Sequence, residues 1–125
     1  NYDPKWVYHG LVVGPPQEAA LFVHALMAGD ILEPLDFKSM MTIHDLGGAI
    51  EGRPFTKCGY GLGVMAGEMG AAGRVFGHSG VGPFSVSATY YFADLPTPTT
   101  VCVYKTGCYE GPAEQQALEV AVNSQ

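Results

Sequence analysis

An α+β fold, one antiparallel sheet with helices packed on it, is what this sequence predicts, and three observations carry that expectation. Four strand-like segments follow one another from residue 60 onward, joined by connections too short to hold the helices that parallel strands require. The helix-like patterns lie before and after this block and not inside it, which favours an α+β layer arrangement. At 125 residues the chain is a single domain spanning 1–125, long enough to bury roughly 65 to 70% of its unfolded surface.

Taken in order, Gly14-Pro15-Pro16 ahead of an apolar run predicts a helix over Gln17 to Ala28, because proline is tolerated in the first turn and Gly29-Asp30 closes the pattern. Its apolar residues run nearly all round, the pattern of a buried helix. A second, short helix is expected from Pro34 to Met41, followed by a glycine-rich loop at Gly47-Gly48. Strands are expected over Tyr60 to Glu68, Arg74 to His78, Phe84 to Ala93 and Thr99 to Lys105, forming a meander. Their connections are Gly70-Ala71-Ala72-Gly73, Gly80-Val81-Gly82-Pro83 and Leu95-Pro96-Thr97-Pro98. Tyr90-Tyr91-Phe92 should place neighbouring rings on opposite faces of the sheet. Pro112 opens a last helix that covers one sheet face with Ala113, Ala117, Val120 and Ala121, leaving Glu114, Gln115 and Gln116 turned mostly outward.

Composition narrows the function classes. Hydrophobic residues make up 47% of the chain and charged ones 14%, an apolar balance that suits a piece packing against more protein. Six basic residues against 12 acidic give a formal charge of −6 with no lysine or arginine cluster, so nucleic acid is not an expected partner. The longest apolar stretch, Ala19 to Ala28, contains His24 and is shorter than the roughly 20 residues of a membrane span. Cys58, Cys102 and Cys108 match neither a zinc site nor a disulfide framework, which leaves periplasmic, secreted and cytoplasmic locations open. His9, His24, His44 and His78 are too scattered for a metal motif, and neither metal nor cofactor is expected. The first residue is Asn1 and no signal-type segment is present, so the simplest expectation is a truncated N-terminus.

The chemistry concentrates in Gly77-His78-Ser79-Gly80, preceded by Tyr60-Gly61-Leu62-Gly63 and followed by Pro83-Phe84-Ser85. With Trp6, His9-Gly10-Leu11-Val12-Val13 and the helix after them, this order resembles the C-terminal third of the penicillin-recognising serine hydrolases: class C β-lactamases, DD-peptidases and related esterases. The resemblance covers almost the whole chain. It implies a partial β-lactamase-like fold and an acyl-enzyme mechanism acting on an ester, a β-lactam or a peptide amide. In that family a strand beside the active site carries Lys-Thr-Gly or His-Ser/Thr-Gly, here His78-Ser79-Gly80. His78 would supply a donor or positive potential, Ser79 a hydroxyl for a substrate carbonyl or carboxylate, and Gly80 close backbone approach. Val81 resembles the residue whose N–H forms half of the oxyanion hole. Departures lie at Gly14-Pro15-Pro16, where relatives often have a Ser/Thr cap, and at Lys105-Thr106-Gly107. That second box matches the Lys-Thr-Gly pattern literally but comes one strand pair too late, and it reads as a strand end with a snorkelling lysine.

The remaining machinery of that family is absent from these residues. Ser-x-x-Lys occurs nowhere, and with asparagine only at Asn1 and Asn123 there is no Tyr-x-Asn or Ser-x-Asn box. Two expectations follow: a C-terminal portion of a hydrolase whose nucleophile comes from a missing N-terminal part, or a non-catalytic remnant that binds a partner or self-associates into a homo-oligomer through an exposed sheet. The contact surfaces expected are the edges near Tyr60 to Glu68 or Thr99 to Lys105 and the apolar side of the first helix. A Cys58 nucleophile paired with His44 or His78 is a lesser alternative. Gly77 to Gly82 lacks the spacing and the following helix of a nucleotide fingerprint.

Overall fold

The computed structural model describes residues 14–125; Trp6 and the His9 to Val13 segment fall outside the described residues. Two helices, α1 (Pro16–Ala28) and α2 (Pro34–Met40), precede six strands: β1 (His44–Gly47), β2 (Lys57–Tyr60), β3 (Met65–Glu68), β4 (Arg74–Val81), β5 (Ser85–Phe92) and β6 (Thr99–Thr106). Helix α3 (Gly111–Asn123) follows. The strands form one sheet in sequence order, every neighbouring pair antiparallel. The expected α+β class and meander are therefore present.

Three elements differ from the sequence reading. Tyr60 to Glu68 is not one strand but the end of β2, a tight turn, and β3. It lies inside the sheet and not at an edge, because His44–Gly47, expected to lead into a glycine-rich loop, forms β1 outside it. β1 is four exposed residues with a register shift between Asp45 and Gly47, so no hydrophobic alternation marked it. β4 continues through Ser79, Gly80 and Val81, which pair with Ala88, Ser87 and Val86. Glycine at position 80 reads locally as a turn, but the β5 ladder holds it extended.

Helix α1 begins at proline with no side-chain cap, as the Gly14-Pro15-Pro16 departure implied. It ends at Gly29, whose φ of 85° lets its N–H and that of Asp30 return to Leu26 O at 3.2 Å and Ala25 O at 3.0 Å. The expectation that α1 is buried does not hold, since none of its residues is. It rests on β5 and β6, where His24 Nδ1 meets Thr100 Oγ1 at 3.1 Å and its ring stands edge-on to Tyr91 at 5.7 Å. A helix apolar all round needs partners on both sides, and the sheet supplies one; Leu21 and Phe22 stay 69% and 56% exposed.

The core lies on the opposite face. Val86, Ala88, Tyr90 and Phe92 of β5, with Val101 and Val103 of β6, pack under Ala113, Ala117 and Ala121 of α3. Period-two alternation places Tyr90 and Phe92 inward and Tyr91 on the α1 side, as expected. Alanines at four-residue spacing let α3 approach the sheet closely.

Glu114 corrects the expected outward orientation, for it is fully buried. Its Oε2 accepts from Arg53 Nε at 2.7 Å, and its Oε1 accepts from Arg53 Nη2 and, at 2.8 Å, from Tyr90 Oη. Arg53 Nη2 also reaches Ser79 Oγ at 3.1 Å and Met65 Sδ at 3.4 Å. A fork pairing both nitrogens with both carboxylate oxygens gives the carboxylate the hydrogen bonds that burial demands. Hydrogen bonding to Glu114 raises the pKa of Arg53, and burial, reinforced by the Glu114 charge, pushes the Tyr90 hydroxyl well above its ordinary value.

Two outcomes follow. Arg53→Ala leaves a buried carboxylate unpaired and should lower unfolding free energy in urea by about 3 to 5 kcal/mol; a loss under 1 kcal/mol would contradict the buried pairing. At the sheet surface Arg74 donates to Asp94 through its side chain and its backbone N–H, holding the Asp94 carboxyl down at about 2. A depressed carboxyl stabilises fully above its unfolded value of about 3.9, and the stabilisation is lost as pH falls toward 2. Wild type should therefore lose stability relative to Asp94→Asn between about pH 4 and pH 2, measured by thermal melts in paired buffers, and parallel curves would refute it.

Candidate active-site edge

The local sequence starts β3 late. Tyr60-Gly61-Leu62-Gly63 turns the chain between β2 and β3, with the Gly61 N–H bonded to Val64 O at 2.8 Å and the Leu62 N–H to Met40 O at 3.1 Å. A side chain at Gly61 would place its first carbon 2.1 Å from Met40 O, and Gly63 sits at φ 72°; both positions require glycine. β3 therefore starts only at Met65, opposite Gly77 of β4. Beyond Gly77 β4 pairs with β5 alone.

This leaves main-chain groups open on a known side. Arg74 O accepts from the Ala93 N–H at 3.0 Å, and the Gly82 N–H donates to Ser85 O at 2.8 Å, so positions 74 and 82 direct their backbone groups at β5. Strand backbone groups alternate in direction residue by residue. Phe76, His78 and Gly80 thus also address β5, while Ser79 and Val81 turn their N–H and C=O groups to the side that β3 has vacated.

The four predicted residues separate across the sheet. His78 is exposed; its Nε2 lies 2.6 Å from Tyr60 Oη with the rings edge-on at 5.7 Å, and its Nδ1 contacts the Ser79 carbonyl. Gly80 and Val81 are exposed at the strand end. The Ser79 hydroxyl departs from expectation: it is buried on the α3 side and accepts from Arg53, because period-two alternation sends 79 to the face opposite 78. Its side chain serves the Arg53–Glu114 network and does not face the open edge. His78, Gly80 and the backbone of Val81 remain there together.

Other candidates fall elsewhere. Lys105 is near the end of β6, two strands from Val81, with its Nζ 3.4 Å from Gln116 Oε1. Cys58 is buried, and burial pushes its thiol pKa up, away from nucleophilic thiolate. Cys102 receives a hydrogen bond from Thr89 Oγ1 at 3.0 Å. Among the described residues no group of three or more His, Cys, Asp or Glu could hold a metal, and no helix is long and apolar enough to cross a membrane. Two hollows lie away from the edge, about 300 Å³ over Gly59, Ala66 and Phe76, and about 440 Å³ between α1 and Tyr104.

Sequence reasoning missed Tyr60 as the partner of His78 and the Arg53–Glu114 pair beneath the strand. Glu114 carried a faint signal, a charge next to the Ala113, Ala117 and Ala121 stripe; Tyr60 carried only its place in the Tyr60-Gly61-Leu62-Gly63 segment, since its 18-residue separation from His78 is closed only by β3. Ser79→Ala should lower stability by about 1.5 to 3 kcal/mol, the range for a hydrogen bond to a charged group, without perturbing the His78 ring resonances. Unchanged stability with a shifted His78 would instead place the hydroxyl on the open side. Searches of protein-family models, curated proteins and solved structures found no match to this chain.

Proposed function

We propose that the chain is the C-terminal portion of a serine hydrolase of the penicillin-recognising type, contributing a strand edge to an active site completed by another part of the enzyme. The observation that carries this reading is the unpaired end of β4: Val81 turns its N–H to the vacated side, as an oxyanion donor must, with His78 and Gly80 beside it. A substrate acyl group lying along that edge would meet backbone donors, an imidazole and no obstructing side chain at Gly80. Ser-x-x-Lys does not occur in these residues, so the nucleophile and the second oxyanion donor belong to the missing part. The buried Ser79 hydroxyl removes one expected substrate contact and leaves recognition to the backbone.

The 125-residue chain alone should therefore show no sustained hydrolysis of nitrocefin or p-nitrophenyl acetate above background. In the complete enzyme His78→Ala should slow acylation by about 10²-fold or more with folding intact, and Lys105→Ala should be nearly silent. If the lysine variant is the inactive one, Lys105-Thr106-Gly107 is the working box and this assignment fails.

A second reading, association without catalysis, is favoured by β6. The Gly107 N–H bonds Phe84 O at 3.1 Å, so odd positions of β6 address β5, and Thr100, Cys102, Tyr104 and Thr106 direct backbone groups outward. Among the described residues no strand pairs with that side. Such an edge, flanked by the exposed Leu21 and Phe22 of α1, invites a second copy or the missing N-terminal part. Covering even 200 Å² of apolar surface stabilises by about 5 kcal/mol. Light scattering at micromolar concentration should show a dimer or larger species; a monomer with one cooperative thermal transition would overturn self-association.

A further inference from the structure

We infer that Tyr60 is an activated nucleophile, with His78 as its general base and the Ser79 carbonyl as the group that orients the base. This site goes beyond the hydrolase reading and does not depend on a serine supplied from elsewhere. The phenol oxygen lies 2.6 Å from His78 Nε2, within the reach that defines a nucleophile and base pair. The contacts assign the protons. Ser79 O is a carbonyl and can only accept, so His78 Nδ1, which touches it, carries hydrogen. In the neutral ring Nε2 is then the acceptor, and the Tyr60 hydroxyl donates to it. The imidazole is held on both sides, its nitrogens satisfied by one donor and one acceptor, with its basic lone pair aimed at the phenol proton. His78 itself is exposed and Tyr60 half-buried, so a small reagent reaches the pair from solvent. By contrast Tyr90, also a hydroxyl donor, donates its hydrogen bond to the Glu114 carboxylate in a closed core.

The ligand class this pair takes is a small activated acyl ester. Tyr60 Oη attacks the acyl carbon while its proton moves to Nε2, giving an imidazolium whose Nδ1–H stays on Ser79 O. Collapse of the tetrahedral adduct breaks the carbon–oxygen bond to the leaving phenolate. The acyl group remains on Tyr60, and the imidazolium proton is released to water. The outcome is one equivalent of leaving group per chain without turnover, which separates it from hydrolase activity.

The test is p-nitrophenyl acetate added to the purified chain, with the sites of acetylation followed in time by peptide mass spectrometry. Tyr109, 74% exposed, is the internal reference for an unassisted phenol. Tyr60 should be acetylated at least about tenfold faster than Tyr109, a modest share of the 10²-fold that general base catalysis supplies. His78→Ala should bring Tyr60 down to the Tyr109 rate with the circular dichroism spectrum unchanged. Tyr60→Phe, which keeps the ring and its packing, should abolish the fast single equivalent of p-nitrophenolate. Equal rates at Tyr60 and Tyr109 in wild type would overturn the inference. So would a fast phase that persists in Tyr60→Phe, or a wild-type adduct carried by His78. Should His78→Ala unfold, the wild-type site map and the Tyr60→Phe trace decide the matter by themselves.

Discussion

The buried ion pair between Arg53 and Glu114 is the constraint on which the rest of this structure hangs. Arg53 lies in the connection between β1 and β2, and Glu114 in the first turn of α3; the pair therefore joins the loop that precedes the sheet's second strand to the helix that covers its last two. Tyr90 and Ser79 complete the carboxylate and guanidinium hydrogen bonds from β5 and β4. Four distant segments meet at one charge pair, and every buried side-chain nitrogen and oxygen among the described residues has a partner. In a low-dielectric core such a pair is stabilising only as a complete set, since each missing partner exposes the desolvation cost of a charge. The pair thereby adds to the seating of α3 a directional restraint that the non-directional contacts of the alanine stripe beside it do not supply.

The same network accounts for the geometry of the strand above it. Ser79 turns inward to Arg53, and alternation then sends His78 and Gly80 to the outer face. The tight Tyr60 to Val64 turn delays β3 until Met65, and β4 emerges past it with one backbone side unpaired. An open strand end is ordinarily a liability. Here it carries an imidazole held between a phenol and a carbonyl.

The two faces of the sheet are unequal for a physical reason. The α3 face carries alternating Val86, Ala88, Tyr90 and Phe92, all buried. The α1 face carries Ser85, Ser87, Thr89 and Tyr91 on β5, and the helix upon it contributes no buried residue. A helix with apolar residues on every side, laid on a mixed polar face, retains apolar surface toward solvent, in keeping with the apolar composition of the whole chain.

Several features were legible from the residues alone because they are encoded locally. Period-two alternation from Ser85 to Phe92, proline at the start of each helix and glycine at the end of α1 each act within a few residues, and each appears where expected. The number of strands was not so encoded, since β1 has no buried position and the split of Tyr60 to Glu68 depends on Leu62 meeting the distant Met40 carbonyl. The His78 to Val81 box was visible as a pattern, but which of its groups face the open edge was not. One residue of register exchanges the two faces of a strand, and that register is set by the β3 and β5 ladders, with the Ser79 hydroxyl bonded to Arg53, 26 positions away along the chain. By itself the sequence determined the class, the order of the helices and the antiparallel meander. Tertiary structure alone decided that Glu114 is inside, that the Ser79 hydroxyl serves it, and that Tyr60 stands at His78, because long-range charge pairing and strand register have no local signature.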